Sequence, residues 1–248
     1  MTHQMPIREL YVSPDTATAL LAEAASLPAW TLDARQAGEL ALLMNGGFAP
    51  LRGYMTEAEY RAVPDGAWPV PLALQVDADF AERVQPGHDI ALRDDRSVVA
   101  VMSVTDAWGD PALLGGKVKG LRRLGDGDGM TPNALRALFR DRDADRVLAI
   151  QPSHPDQIDA AVRQARHLDA VLLIQPFPGV AVKPPADAIL SFLPVTPPAG
   201  PQAALWQALV ARNHGATHLM LPDVDARNAY RPHQDRIGVR MVDMDATI

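Results

Sequence analysis

The sequence predicts an α/β protein in two parts, a β-rich amino-terminal part followed by a part built on a parallel sheet. Three observations predict this. Residues 69–76, 89–93 and 97–104 are short, Val- and Leu-rich runs separated by turn residues, the pattern of a small, mostly β unit. Residues 146–151, 156–168 and 170–175 read as strand, helix and strand, a βαβ unit whose sheet would be parallel with helices on its faces. Between them lies a polar break, GDGDG at 125–129, which sets the expected domains at 1–130 and 131–248.

Taken in order, Ser13 and Pro14 open a helix, since a Ser side chain caps free amides and Pro is tolerated at the first helical position. Leu20, Leu21 and Ala24 form its expected buried face. Asp33 and Gln36 have capping-box spacing and open a second helix carrying Leu40 and Leu43, which Asn45, Gly46 and Gly47 end in a tight turn. Lys117 and Lys119, set among Gly115, Gly116 and Gly120, read as a mobile basic loop, either solvated or meeting an anion. Thr131 and Pro132 restart a helix with Leu135, Leu138 and Phe139. Six prolines across 183–201 predict irregular chain there. A later helix over 201–214, bearing Leu205, Trp206 and Leu209, stops at Gly215 and feeds a strand at 217–221.

The formal charge is 23 − 30 = −7, which disfavours non-specific binding to nucleic acid or to an anionic membrane. There is no cysteine, so disulfides, thiolate nucleophiles and Cys-ligated metals are excluded. Met1 to Leu10 lacks the charged start and apolar core of a leader, and no apolar run approaches the roughly 20 residues that cross a bilayer. The expected location is cytoplasmic.

Residues 45–55, NGGFAPLRGYM, closely resemble the NGGFSPLxGFM signature of ATP sulfurylases (sulfate adenylyltransferases). Other pieces agree in order. Trp68, Pro69, Val70 and Pro71 resemble the family's WPIPI; Ala199, Gly200 and Pro201, with the helix through Leu205 and Trp206, resemble AGPxEALWHA. Residues 213–218 resemble NHGCTH, and 233–239 resemble HQDEIGV. The resemblance implies a PUA-like amino-terminal domain followed by a shortened Rossmann-like nucleotidyltransferase domain. It also implies a setting in sulfate assimilation, where sulfate is joined to the α-phosphate of ATP and pyrophosphate leaves. That chemistry is electrostatic, because the transition state carries dense negative charge that fixed donors must meet.

In the family those donors come from a QxRNPxHxxH motif at a strand-to-helix junction. The matching stretch here is 151–160, QPSHPDQIDA, in which only Gln151 and Pro155 are retained. Ser153 stands at the Arg position, His154 at the Asn position, and Gln157 and Ala160 at the two His positions. Asp156 and Asp159 add carboxylates; against a phosphate about 4 Å away, at an effective dielectric of about 20, each costs roughly 4 kcal/mol. The family's GRDHAG aligns with 222–227, PDVDAR, in which Asp223 and Asp225 stand with Pro222, Val224, Ala226 and Arg227. The Arg before AGP gives way to Pro197 and Pro198, and the one after it to Gln202. The match is also shorter around Asp110, around Lys183 and after Arg227.

The expectation is therefore a catalytically silent ATP sulfurylase-like protein, a pseudoenzyme that acts by binding. Gln151 and His154 are its catalytic candidates, and Gln151, Ser153, His154, Gln157, Ala199, Gly200 and Asp223 its ligand-site candidates. The expected ligand is a nucleotide or small anion, with ATP or Mg only where the nucleotide site survives, and no metal site is assigned. The expected protein partners are a second copy of the chain or an authentic ATP sulfurylase, with no nucleic acid and no membrane. Two alternatives stay open. One is an active nucleotidyltransferase-type enzyme, performing either sulfate adenylyl transfer or altered chemistry, in which His154, Asp156, Asp159, Asp223 and Asp225 line the cleft and hold a divalent metal or handle a cationic or neutral substrate; the competing reading of His154, Asp156 and Asp159 is helix capping and solvated charge. The other is a structural subunit of an assembly. Most of NGGFAPLRGYM reads as a turn seating Phe48 in a core, while Arg52 either holds a carboxylate or phosphate or makes a surface ion pair. His214 and His218 read as packing or hydrogen-bonding residues.

Overall fold

The computed structural model describes residues 5–63, 68, 70–125 and 129–243. The chain forms two compact units, Arg8–Gly125 and a second made of residues 126–248 together with 1–7. Part of the GDGDG break and Pro69 of the expected 69–76 strand lie outside the described residues.

The amino-terminal unit runs α1 (Pro14–Ala24), β1 (Ala29–Thr31), α2 (Ala34–Met44), β2 (Gly53–Tyr54), α3 (Glu57–Arg61), β3 (Leu74–Gln75), α4 (Ala78–Ala81), β4 (Asp89–Arg93), β5 (Val98–Trp108) and β6 (Leu113–Gly120). Its sheet has the order β1-β4-β5-β6-β2, with β3 also paired to β6. Ser13 caps α1 through Thr16 N. Asp33 Oδ1 accepts from Gln36 N at 2.8 Å and Gln36 Oε1 from Asp33 N at 3.2 Å, completing a capping box at α2. The apolar face of α1 is narrower than expected: Leu20 and Ala24 pack towards Ala91 and Val101, while Leu21, 100° further round, is exposed. Gly46, at φ 88°, makes the turn after α2 and drops Phe48 into the core.

Two strands differ from expectation. Only Leu74–Gln75 of the 69–76 run pairs as a strand, and β5 continues to Trp108. The supposed mobile loop at 115–120 is strand β6, and its glycines answer to crowding rather than to mobility. A Cβ on Gly53 would overlap the Gly116 carbonyl, one on Gly115 the Met55 carbonyl, and one on Gly116 the Ser103 carbonyl. Main chain here crosses main chain with no room for a side chain.

The carboxy-terminal unit runs α5 (Pro132–Asp141), β7 (Val147–Ile150), α6 (Gln157–His167), β8 (Val171–Ile174), β9 (Ile189–Leu190), α7 (Gln202–Asn213), β10 (His218–Met220), α8 (Val224–Tyr230), α9 (Gln234–Ile237) and β11 (Arg240–Val242). Strand order is β11-β10-β7-β8-β9, all parallel. Val147 to Ile150 are all buried, so both faces of the strand are covered, as its continuous apolar run requires. Helix α6 presents Ile158, Ala161 and Ala165 to that sheet, and α7 is buried almost all round. Residues 5–7 strap this unit: Asn133 exchanges hydrogen bonds of 2.8 and 2.9 Å with Ile7. The buried Arg136 guanidinium donates to the carbonyls of Met5, Arg212 and Asn213, each at 2.8 Å. Among the described residues no helix is long and apolar enough to cross a membrane.

Candidate functional site

Strand order locates the site. The chain moves outwards from β7 through β8 to β9, then returns to the other side of β7 for β10 and β11, so the order reverses between β7 and β10. In an open parallel sheet, ligands bind beyond the carboxyl ends of the strands at such a reversal. The residues that follow β7 and β10 are Gln151 to Asp156 and Leu221 to Asp223. Both altered motifs thus lie at one edge of the sheet, with α6 starting after the first and α8 after the second. Ala199 and Gly200, both exposed, lie just before α7, which starts at that same edge.

At the turn into α6, Ser153, His154, Pro155 and Asp156 are exposed, and Gln157 is half-buried. Asp156 does not cap the helix through its side chain. The Gln157 side chain folds back instead: Oε1 accepts from Ser153 N at 3.0 Å and, at a longer 3.4 Å, from His154 N, while Nε2 donates to Ser153 Oγ at 3.2 Å. Gln157 N and Ile158 N donate to the carbonyls of His154 and Pro155. Four amides at the helix entrance therefore already have acceptors within the turn. The self-closing role of Gln157 was missed in the sequence, although its i, i+4 distance from Ser153 would have permitted it.

Gln151 is buried just past the end of β7. Its Nε2 donates to Gln175 Oε1 at 3.2 Å and to Gln207 O at 3.3 Å. This ties the ends of β7 and β8 to α7. Asp223 caps α8, its Oδ1 accepting from Ala226 N at 2.7 Å. Arg227, the cation of the second motif, donates from Nη1 to the carbonyls of Leu221 and Pro222, both at 2.9 Å, and pairs with Asp243 at 3.3 Å. The structure thus gathers Gln151, Ser153, His154 and Gln157 in one turn, whereas Asp223 is engaged at its own helix. Among the described residues no group of three or more His, Asp or Glu side chains is close enough to hold a metal ion. His154, Asp156, Asp159, Asp223 and Asp225 do not converge as the metal-binding alternative requires.

The two retained histidines are structural. His214 is buried, with Nδ1 at 2.8 Å from Val210 O, and burial pulls its pKa down to about 4. His218 sits at 2.8 Å from Thr217 Oγ1, and burial again lowers its pKa. A surface concavity bordered by Arg146, Arg166 and Asp169 lies at the amino ends of β7 and β8, opposite the edge where ligands bind.

Residues 1–112 match the family model of a PUA-like domain. The chain is 31% identical over 264 residues to sulfate adenylyltransferase of Eremothecium gossypii, covering 82% of this chain and 53% of that protein. It is 30% identical over 266 residues to sulfate adenylyltransferase of Saccharomyces cerevisiae, covering 82% of this chain and 52% of that protein. Among solved structures it superimposes on a hexameric APS kinase from Thiobacillus denitrificans with a TM-score of 0.82 and 31% identity, covering 96% of this chain and 55% of the other. The chain spans about half the length of the curated relatives it matches.

Proposed function

From the premise that this chain is a homologue of the sulfate adenylyltransferases, we propose that it is catalytically silent and acts by binding a ligand or partner. The observation that carries this reading is the entrance to α6. Adenylyl transfer needs preorganised donors aimed at developing negative charge. Here the amides of Ser153, His154, Gln157 and Ile158 are spent on the turn itself, and the turn's one residue able to become a cation is His154. Asp156 and Asp159 repel a polyphosphate as well, but both are exposed, and screening leaves them less than the roughly 4 kcal/mol of a close pair. The amide bonds, at 3.0–3.4 Å, are weak, so the shortage of cations and the added carboxylates count for more than they do. Kinase chemistry, named for the structural neighbour, is not part of this proposal, because the 248 residues contain no G-x-x-x-x-G-K-[ST] loop to cradle phosphates.

The test is to incubate purified protein with ATP, Mg²⁺ and sulfate and to measure pyrophosphate. None is expected above the level without enzyme. Pyrophosphate formed at a rate abolished by His154→Ala or Gln151→Ala would return adenylyl transfer to the front.

A second reading is a self-assembling structural subunit, and the likeness to a hexameric protein favours it. Light scattering of the purified chain would give a multiple of 26.7 kDa on this reading, and a strict monomer would remove it.

A further inference from the structure

The amino-terminal unit holds a cavity that no part of the proposed function uses. It measures about 520 Å³ and lies among the turn after Pro50, β2, the start of α3, Trp68 and β6. That volume is within the usual range for small-molecule sites. Arg52 and Lys117, which the sequence singled out separately, both line it. Strand pairing brings them together: Lys117 lies opposite Gly53, and Val118 N donates to Arg52 O at 3.2 Å. Both side chains belong to exposed residues, and among the described residues neither has an ion-pair partner. Glu59 also lines the cavity, but its Oε2 accepts from Thr56 N and Thr56 Oγ1 at 2.9 and 3.0 Å and is held to the entrance of α3. The lining therefore carries two uncommitted cations on a chain whose net charge is −7.

The apolar wall adds an independent feature. Trp68 and Tyr54 line the same cavity, each 3% exposed, and neither Trp68 Nε1 nor Tyr54 Oη has a hydrogen-bond partner among the described residues. Both polar atoms are closed off even to water, so what this wall offers a ligand is apolar surface.

We propose that this cavity binds a small organic anion, with a phosphate or sulfate monoester on Arg52 and Lys117 and an apolar body along the wall that Pro50, Leu51 and Ala62 complete. A fork-shaped guanidinium beside a point-charge ammonium suits a tetrahedral oxyanion. The site is separate from the α6 entrance, so its loss would leave the silent-enzyme proposal standing.

The test uses the full chain, calorimetry and intrinsic Trp fluorescence, with AMP, phenyl phosphate and inorganic phosphate as probes. AMP or phenyl phosphate should bind more tightly than inorganic phosphate, and affinity should fall as salt is raised. Arg52→Gln combined with Lys117→Gln should weaken binding at least about tenfold with an unchanged melting temperature. Arg163→Gln, at an exposed position of α6 in the other unit, should leave binding at this site unchanged. The proposal fails if no probe binds at millimolar concentration, or if the double variant binds as the parent does.

Discussion

The glycine crossing of β2 on β6 includes Gly53 of the 45–55 stretch that resembles ATP sulfurylases, whereas the entrance to α6 lies where that resemblance is lost, and the two differ in one physical respect. At the crossing, Gly53, Gly115 and Gly116 bring carbonyl oxygens where a Cβ would have to sit, so the main chain itself dictates the residue. At the entrance, Ser153, His154 and Asp156 look into solvent, and the turn closes through one Gln157 side chain. Substitutions there cost the fold little. Chemistry carried by exposed side chains can be lost while the architecture around it stays.

The comparison breaks most decisively at the crossing. Gly116→Ala should destabilise the amino-terminal unit by about 3 kcal/mol or more, because backbone rather than a flexible side chain must move. Urea denaturation checks this, and a loss below about 1 kcal/mol would mean the crossing is slack. His214 extends the contrast to the carboxy-terminal unit, since it lies in the retained NHGATH stretch and is buried. Burial holds its folded pKa at about 4, below the ordinary 6.5, so the unfolded chain takes up a proton that the folded chain refuses. Stability should be indifferent to this group above pH 6.5 and should fall by about 3 kcal/mol in all as pH drops from 6.5 towards 4. Denaturation midpoints measured across that window should lose this slope in His214→Gln.

Smaller effects sharpen the boundary. Asp33→Ala removes half of a capping box at an exposed position and should cost about 1 kcal/mol by thermal unfolding. Gln157→Ala should change stability by less than about 0.5 kcal/mol, since it replaces weak, solvent-facing bonds with water. A drop above about 2 kcal/mol would show that the turn at 153–157 is a structural keystone.

Legibility in the sequence followed the same line. The capping box at Asp33 and Gln36, the strand at Asp89–Arg93 and the βαβ run from β7 through α6 to β8 were readable, because each rests on local hydrogen bonds or on an uninterrupted apolar run. Strand β6 was not: its glycines look the same whether they serve mobility or close approach, and the distinction depends on Met55 and Ser103, distant in the chain. Leu21 misled through helical period alone, since α1 buries only a narrow stripe. At the site, the position of 151–157 at a strand-to-helix junction was legible, but the fate of its amides was not, because it turns on a single rotamer of Gln157.

The strap at residues 5–7 has a practical corollary for anyone who wishes to study the halves apart. Leu10 and Gly120 are hydrogen-bonded to each other, so the amino-terminal unit opens and closes at one place, while Ile7 is held by Asn133. Cutting the gene once near codon 125 would strand a piece of the second product on the first. A faithful separation takes two cuts, one on each side of Arg8–Gly125, and a loop to rejoin the flanks.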